Sequence, residues 1–181
     1  MKDIALHILD IVQNSVSAGA TLVNIEVVEK VGNDRLILSV SDDGPGMDNE
    51  VRMKVADPFY TTRITRKVGL GIPLLKQNAE QAGGSFTISS DSGKGTSVTA
   101  VFIRSHWDRP PKGDIAGVIS ILAGANPSMD FRYRHEFEEY EYIFDTREVK
   151  NALEDVPLSE PAVIRYLKEM IEENLRALVE T

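Results

Sequence analysis

The chain of 181 residues contains no cysteine. Disulfides, cysteine-ligated zinc and thiol chemistry are therefore excluded, and the composition fits a reducing compartment. Positive charge is also scarce: 20 Lys and Arg stand against 28 Asp and Glu, a net charge of -8 with a pI near 4.9. A protein whose main partner is nucleic acid needs a basic face to meet phosphates, so that class is set aside. There is no long apolar run. The longest weakly polar stretch, Ile115 to Ala125, is about half of the roughly 20 residues needed to cross a bilayer. The segment Met1 to Asp10 mixes charged and apolar side chains and does not read as a signal peptide. No histidine cluster has metal-site spacing, and no internal repeat or low-complexity tract is present. These absences point to a soluble, cytoplasmic protein with no membrane partner. A hydrophobic content of 42% and a charged content of 27% are ordinary for a globular chain, long enough for one domain or one domain with a small appendage.

Periodicity divides the chain. Ile4, Ile8, Ile11, Val12 and Ser15 recur at helical spacing, which predicts an amphipathic helix from Lys2 to about Ser17, ended by Gly19. Residues 21–28 alternate with period two and read as a strand; Arg35 to Ser41 returns as a second after the turn at Gly32-Asn33-Asp34. A short helix is expected over Met47 to Val55, a polar loop over Asp57 to Val68, and a helix over Gly69 to Ala82. Ser85 to Ser90 and Thr96 to Ile103 flank a glycine turn and form a hairpin. Arg109-Pro110-Pro111 marks a boundary. Beyond it come a short helix after Asp114, strands at Phe131–Phe137 and Glu139–Phe144, a helix opened by the capping-box-like Asp145-Thr146-Arg147-Glu148, and a last helix capped by Ser159 with Pro161 in its first turn.

Four short motifs follow one another in the first half. They are Asp10-Ile11-Val12-Gln13-Asn14 on the first helix, Asp42-Asp43-Gly44-Pro45-Gly46 at a strand end, the stretch from Asp57-Pro58-Phe59-Tyr60-Thr61-Thr62-Arg63 into Gly69-Leu70-Gly71, and the turn Gly93-Lys94-Gly95-Thr96. Asp10 and Asn14 lie one helical turn apart and share a face. Gly69-Leu70-Gly71 opens a helix, whose free N–H groups and positive dipole end suit an anion. Thr61, Thr62, Arg63, Arg66 and Lys67 make a basic, polar stretch in an acidic protein. Each motif alone is weak, since Asp-Gly is a common turn and a polar helix face is commonly just solvated.

In this order the set resembles the GHKL superfamily of gyrase-type and chaperone ATPases, mismatch-repair ATPases, histidine kinases and related serine kinases. The resemblance covers about Met1 to Ile103 and implies a two-layer α/β (α+β) sandwich, a mixed, mostly antiparallel sheet with helices on one face. Residues 1–108 are then an ATP-binding domain, and 109–181 a small α+β carboxy-terminal extension of unstated role. ATP and Mg²⁺ are the implied cofactors. By resemblance, Asn14 ligates the metal; Asp42 receives the adenine amino group, with Gly44 and Gly46 allowing close approach and Thr96 joining through water. Phosphates would lie against Val68, Gly69, Leu70 and Gly71, under a lid carrying Thr61, Thr62, Arg63 and Lys67. Asp10 stands where the ATPases and serine kinases usually carry glutamate as general base, with about 1.5 Å less reach. Lys67 replaces a glycine common in the family.

Two functions are expected to compete. One is a protein kinase of bacterial signalling, passing the γ-phosphoryl group to serine, threonine or histidine on a partner protein. Only thirteen residues precede Asn14, too few for the helical hairpin of a self-contained sensor kinase, so the acceptor is expected elsewhere. The other is an ATP-gated interaction switch with slow hydrolysis, acting on a regulated factor or through a homodimer. His135-Glu136 matches a phospho-accepting histidine and acid, but the strand context favours a structural role. His7 reads as helix surface or partial core.

Overall fold

The computed structural model describes residues 3–55 and 70–180. Twelve elements are formed there: α1 (Ile4–Ala18), β1 (Leu22–Lys30), β2 (Arg35–Asp42), α2 (Asn49–Lys54), α3 (Gly71–Gln81), β3 (Ser85–Ser90), β4 (Thr96–Ile103), α4 (Ile115–Ala125), β5 (Asp130–Phe137), β6 (Tyr140–Asp145), α5 (Thr146–Leu153) and α6 (Pro161–Glu180). The helix and strand expectations match to within a few residues at their ends; the expected loop over Asp57 to Val68 lies outside the described residues.

Alternating burial along the strands decides the layering. On β1, Val23, Ile25 and Val27 are buried while their neighbours are half-exposed, and Leu36, Leu38 and Val40 do the same on β2. Register aligns these positions into rows: Ile25 lies opposite Val40 and beside Tyr133, and Val40 opposite Val98. One face of the sheet is thus apolar across these rows, as side chains of period two require, with Glu29, Ser90 and His135 as buried polar exceptions. The six strands run in the order β3-β4-β2-β1-β5-β6. Every neighbouring pair is antiparallel except β1 with β5. The sheet is therefore mixed and mostly antiparallel, as expected. α1 packs on β1 and β2, α3 on β3 and β4, and α4 and α6 on β5.

β5 and β6 continue the sheet rather than standing beside it, since β5 pairs with β1 from Leu22–Asp130 to Glu29–Phe137. The segment before α4 also holds α1 directly. The Ile4 and Ala5 amides donate to the carbonyls of Pro111 and Lys112 at 2.9 and 3.0 Å, and Leu6 N donates to the Asp3 carboxylate at 2.8 Å. Helix amides that have no partner within the helix are satisfied in this way.

A buried polar cluster closes this end of the sheet. Glu29, on the covered face, accepts from His135 Nε2 at 3.0 Å and from Lys112 Nζ at 2.8 Å, with Arg104 Nε 3.5 Å away. Tyr133 completes the chain through a 2.6 Å bond between its hydroxyl and His135 Nδ1. Burial alone would raise the Glu29 pKa; the bonds from His135 and Lys112 outweigh it and bring it to about 2. His135 is therefore a core residue of the β5–β6 pair, 2% exposed, in keeping with the structural role expected of it. Replacing Glu29 by Ala leaves a buried imidazole and the Lys112 ammonium without their acceptor. We expect a loss of roughly 3 kcal/mol, measurable by urea denaturation at neutral pH.

Candidate functional site

Asp42 ends β2 and faces Thr96, the first residue of β4, across the ladder. Its carboxylate is held from two sides. Ser15 Oγ, from the buried face of α1, donates to Oδ2 at 2.6 Å, and the Gly44 amide donates to Oδ1 at 3.0 Å. The neighbouring acid is turned away and used differently. Asp43 accepts from the amides of Thr21 and Leu22 at 2.7 and 2.9 Å and from the Thr21 hydroxyl. The Thr21 hydroxyl first, and then the Leu22 amide, hold its carboxyl below the ordinary range. Two adjacent aspartates thus divide the work: Asp43 fastens the start of β1, and Asp42 remains half-exposed at the strand end.

The glycines of the two loops are required by their contact with each other. A Cβ on Gly46 (φ +68°) would lie 2.0 Å from the Asp91 carbonyl oxygen, and one on Gly95 (φ +83°) would lie 1.9 Å from that of Asp42. Both positions also have the positive φ that glycine tolerates. The Gly93 amide donates to Pro45 O at 2.6 Å, closing the contact. Ser90 is the hub beneath it, accepting from Met47 N at 2.8 Å, donating to Gly95 O at 3.0 Å and meeting Thr96 Oγ1 at 2.9 Å.

Asp10 and Asn14 are half-exposed on α1, one turn apart. The acid lies against the start of α3: the position a Gly71 Cβ would take is 3.0 Å from Asp10 Oδ2. Leu70 precedes that helix and gives it no side-chain cap among the described residues, and the helix begins at Gly71 beside Asp10. One turn earlier on α1, His7 is fully buried, with Nε2 2.8 Å from Asn78 Nδ2 of α3. His7 is core, then, and not surface. Its Nδ1 has no partner among the described residues. Burial lowers its pKa to about 4, against a weaker opposite pull from the Asp3 carboxylate.

The structure therefore brings Asp10, Asn14, Asp42, Gly44, Gly46, Leu70, Gly71 and Thr96 to α1 and the loops that flank it. Thr61, Thr62, Arg63, Lys67, Val68 and Gly69 lie outside the described residues. Among the described residues, no cluster of His, Cys, Asp or Glu could hold a metal ion by itself, and no helix is long and apolar enough to cross a membrane.

The model of the histidine kinase-, DNA gyrase B- and HSP90-like ATPases matches residues 2–105. The chain belongs to that family. Among curated relatives, a putative sensor protein of Shewanella frigidimarina is 32% identical over 103 residues, 56% of this chain and 16% of its own. Sporulation kinase E of Bacillus subtilis is 30% identical over 89 residues, 49% of this chain and 12% of its own. Sensor histidine kinase YxdK of Bacillus subtilis is 35% identical over 74 residues, 39% of this chain and 23% of its own. The chain thus spans less than a quarter of the length of each of these relatives. Among solved structures, the N-terminal domain of a DNA repair protein superposes with a TM-score of 0.56 at 16% identity, covering 79% of this chain and 52% of that one. That likeness is one of fold.

Two contributors to this candidate site were not singled out from the sequence. Ser15 was read only as part of the apolar stripe, yet it is the donor that orients Asp42. Ser90 carried a signal: it follows Phe86 and Ile88 in period two on the covered face, where a hydroxyl needs a partner. Replacing Ser90 by Ala strands the Met47 amide and the Gly95 carbonyl. A loss of about 1–3 kcal/mol is expected, read as a lower melting temperature. His7 gives a second prediction. Its folded pKa of about 4 lies below the ordinary 6.5, so the unfolded chain takes up the proton first. The stability tied to neutral His7 is complete above pH 6.5 and falls as the pH drops toward 4, by on the order of 3 kcal/mol. A His7→Gln variant should lack this slope in the difference between denaturation curves.

Proposed function

We propose that this chain binds Mg-ATP between α1, the Asp42 strand end and the start of α3, and transfers its γ-phosphoryl group to a partner protein in bacterial signalling. The observation that carries this reading is the double placement made by α1. The helix sets Asp10 against the N-terminus of α3, which has no side-chain cap among the described residues, and, five residues on, ties Asp42 through Ser15. An anion site and a fixed carboxylate acceptor are the two features that a nucleotide, with its phosphates and exocyclic amine, requires. With Ser15 and Gly44 N both donating to it, Asp42 stays an oriented acceptor. Adenine offers it an amino donor, whereas guanine presents an acceptor there at a cost of roughly 1–3 kcal/mol. The names of the curated relatives, kinases among them, support the same assignment.

The residues present fit the metal as well. Asn14 supplies a neutral oxygen beside an acid, and magnesium takes most of its shell from phosphate and water, so no cage of carboxylates is needed. In the transfer, the bond between the γ-phosphorus and the β–γ bridging oxygen breaks, a bond to the acceptor's nucleophile forms, and ADP leaves. Asp10 takes the proton when the acceptor is a hydroxyl. The phosphate-binding and lid roles of Val68, Gly69, Thr61, Thr62, Arg63 and Lys67 belong to this proposal. So does a partner-facing role for residues 109–181.

A second reading, an ATP-gated interaction switch without transfer, is favoured by one observation. The carbonyls of Pro111 and Lys112 cap α1, so the carboxy-terminal segment is bonded to the helix that would sense nucleotide. The test is γ-labelled ATP with Mg²⁺ and cell extract, using wild type, Asp10→Ala, Asn14→Ala and Asp42→Asn. Label on an extract protein, lost at least tenfold in each variant, is the expected result. Tight ATP binding with no label on any protein would overturn the kinase reading and leave the switch.

A further inference from the structure

We propose that the His7–Asn78 hydrogen bond is the joint that sets the N-terminus of α3 against Asp10, governing the grip on the nucleotide's phosphates while leaving adenine recognition untouched. The inference rests on the nucleotide-site reading above and assigns a positioning role to two residues outside the four motifs.

The geometry runs as a two-point contact. Asp10 meets α3 at Gly71, and His7, three residues earlier on α1, meets it at Asn78, seven residues further along. At 1.5 Å per residue the two contacts stand about 10 Å apart on α3, enough to fix its direction as well as its distance. Around the joint the helices bury apolar side chains, Ile4, Ile8 and Ile11 on α1 and Ile72, Leu75 and Ala79 on α3. Apolar burial has no direction and tolerates sliding along the axes. A hydrogen bond at 2.8 Å tolerates little, because it weakens steeply with distance and angle. The pair is therefore the element of this interface able to specify axial register.

Histidine is an unfavourable choice for packing alone. His7 is fully buried and its Nδ1 goes without a partner among the described residues, whereas leucine would fill such a place with no polar cost. Asp42 and Thr96 sit on the sheet and are held by Ser15, Gly44 and Ser90, so a shift of α3 does not move them. The field of a helix terminus fades within its first turn. A displacement of the order of 1 Å at Gly71 therefore weakens phosphate binding, and that of the adenosine part stays the same.

The test compares ATP with adenosine by calorimetry in wild type, His7→Leu, Asn78→Leu, the double variant His7→Leu/Asn78→Leu, and His7→Gln, each with its melting temperature. We expect the single variants to lose about tenfold in ATP affinity with adenosine affinity within about twofold of wild type, and His7→Gln, which keeps a side-chain partner for Asn78, to restore ATP binding. The double variant replaces the polar pair by an apolar one, so it should regain stability without regaining the ATP preference; it carries the test if the single variants do not fold. Equal losses for ATP and adenosine, or an unchanged ATP preference in folded variants, would overturn the proposal. A wild type that binds neither compound would refute the nucleotide-site reading itself, an outcome distinct from these.

Discussion

Ser15 donates to Asp42 at 2.6 Å from the buried face of α1, and that bond ties the helix bearing Asp10 and Asn14 to the strand end where the loops meet. If α1 slid along the sheet, the bond would break, the carboxylate would lose its orientation, and Asp10 would leave the start of α3. The axial position of this helix is therefore the constraint to which the rest of the site answers. Its other end is fixed as firmly, by the Pro111 and Lys112 carbonyls on the first amides and by Asp3 as cap. A helix pinned at both termini cannot move without cost, since several favourable bonds would be lost together.

The two ends of the sheet carry different polar chemistry. At the Glu29 end the charges are spent on one another: the buried carboxylate has His135 and Lys112. This is structural polarity, and it couples the segment after residue 109 to β1. At the Asp42 end the partners orient the carboxylate and leave it half-exposed. A buried carboxylate already paired with its own donors is not open to a ligand, whereas an oriented, accessible acceptor is.

The loops at that end depend on the absence of side chains. Gly46 and Gly95 let the chain after β2 and the turn before β4 meet backbone to backbone, with carbonyl oxygens where any Cβ would fall. Ser90 underneath satisfies groups on both. The glycine spacing that resembles a nucleotide signature is, in this chain, first a requirement of loop-to-loop packing. Binding would use a shape that folding already imposes.

Much of this was legible in local pattern. Helical and alternating periodicities located the elements because side-chain direction repeats every 3.6 or two residues whatever the fold, and the ordered motifs pointed to Asp10, Asn14, Asp42 and Thr96. The roles of Ser15, Ser90, His7 and Asn78 were not legible. A serine or histidine inside an apolar stripe has the same local signal whether it is tolerated or bonded, and its partner stands 71 residues away for His7 and 27 for Ser15. The parallel pairing of β5 with β1 was equally hidden, since it joins strands separated by most of the chain. The sequence by itself determined which segments are helix or strand, which face of each is apolar, and which acids and glycines lie at chain turns. Only the tertiary structure decided that Asp42 is oriented while Asp43 is spent, that His7 grips α3, and that the carboxy-terminal strands complete the sheet. Those outcomes depend on which distant groups come within 3 Å, and hydrogen bonds act over no longer range.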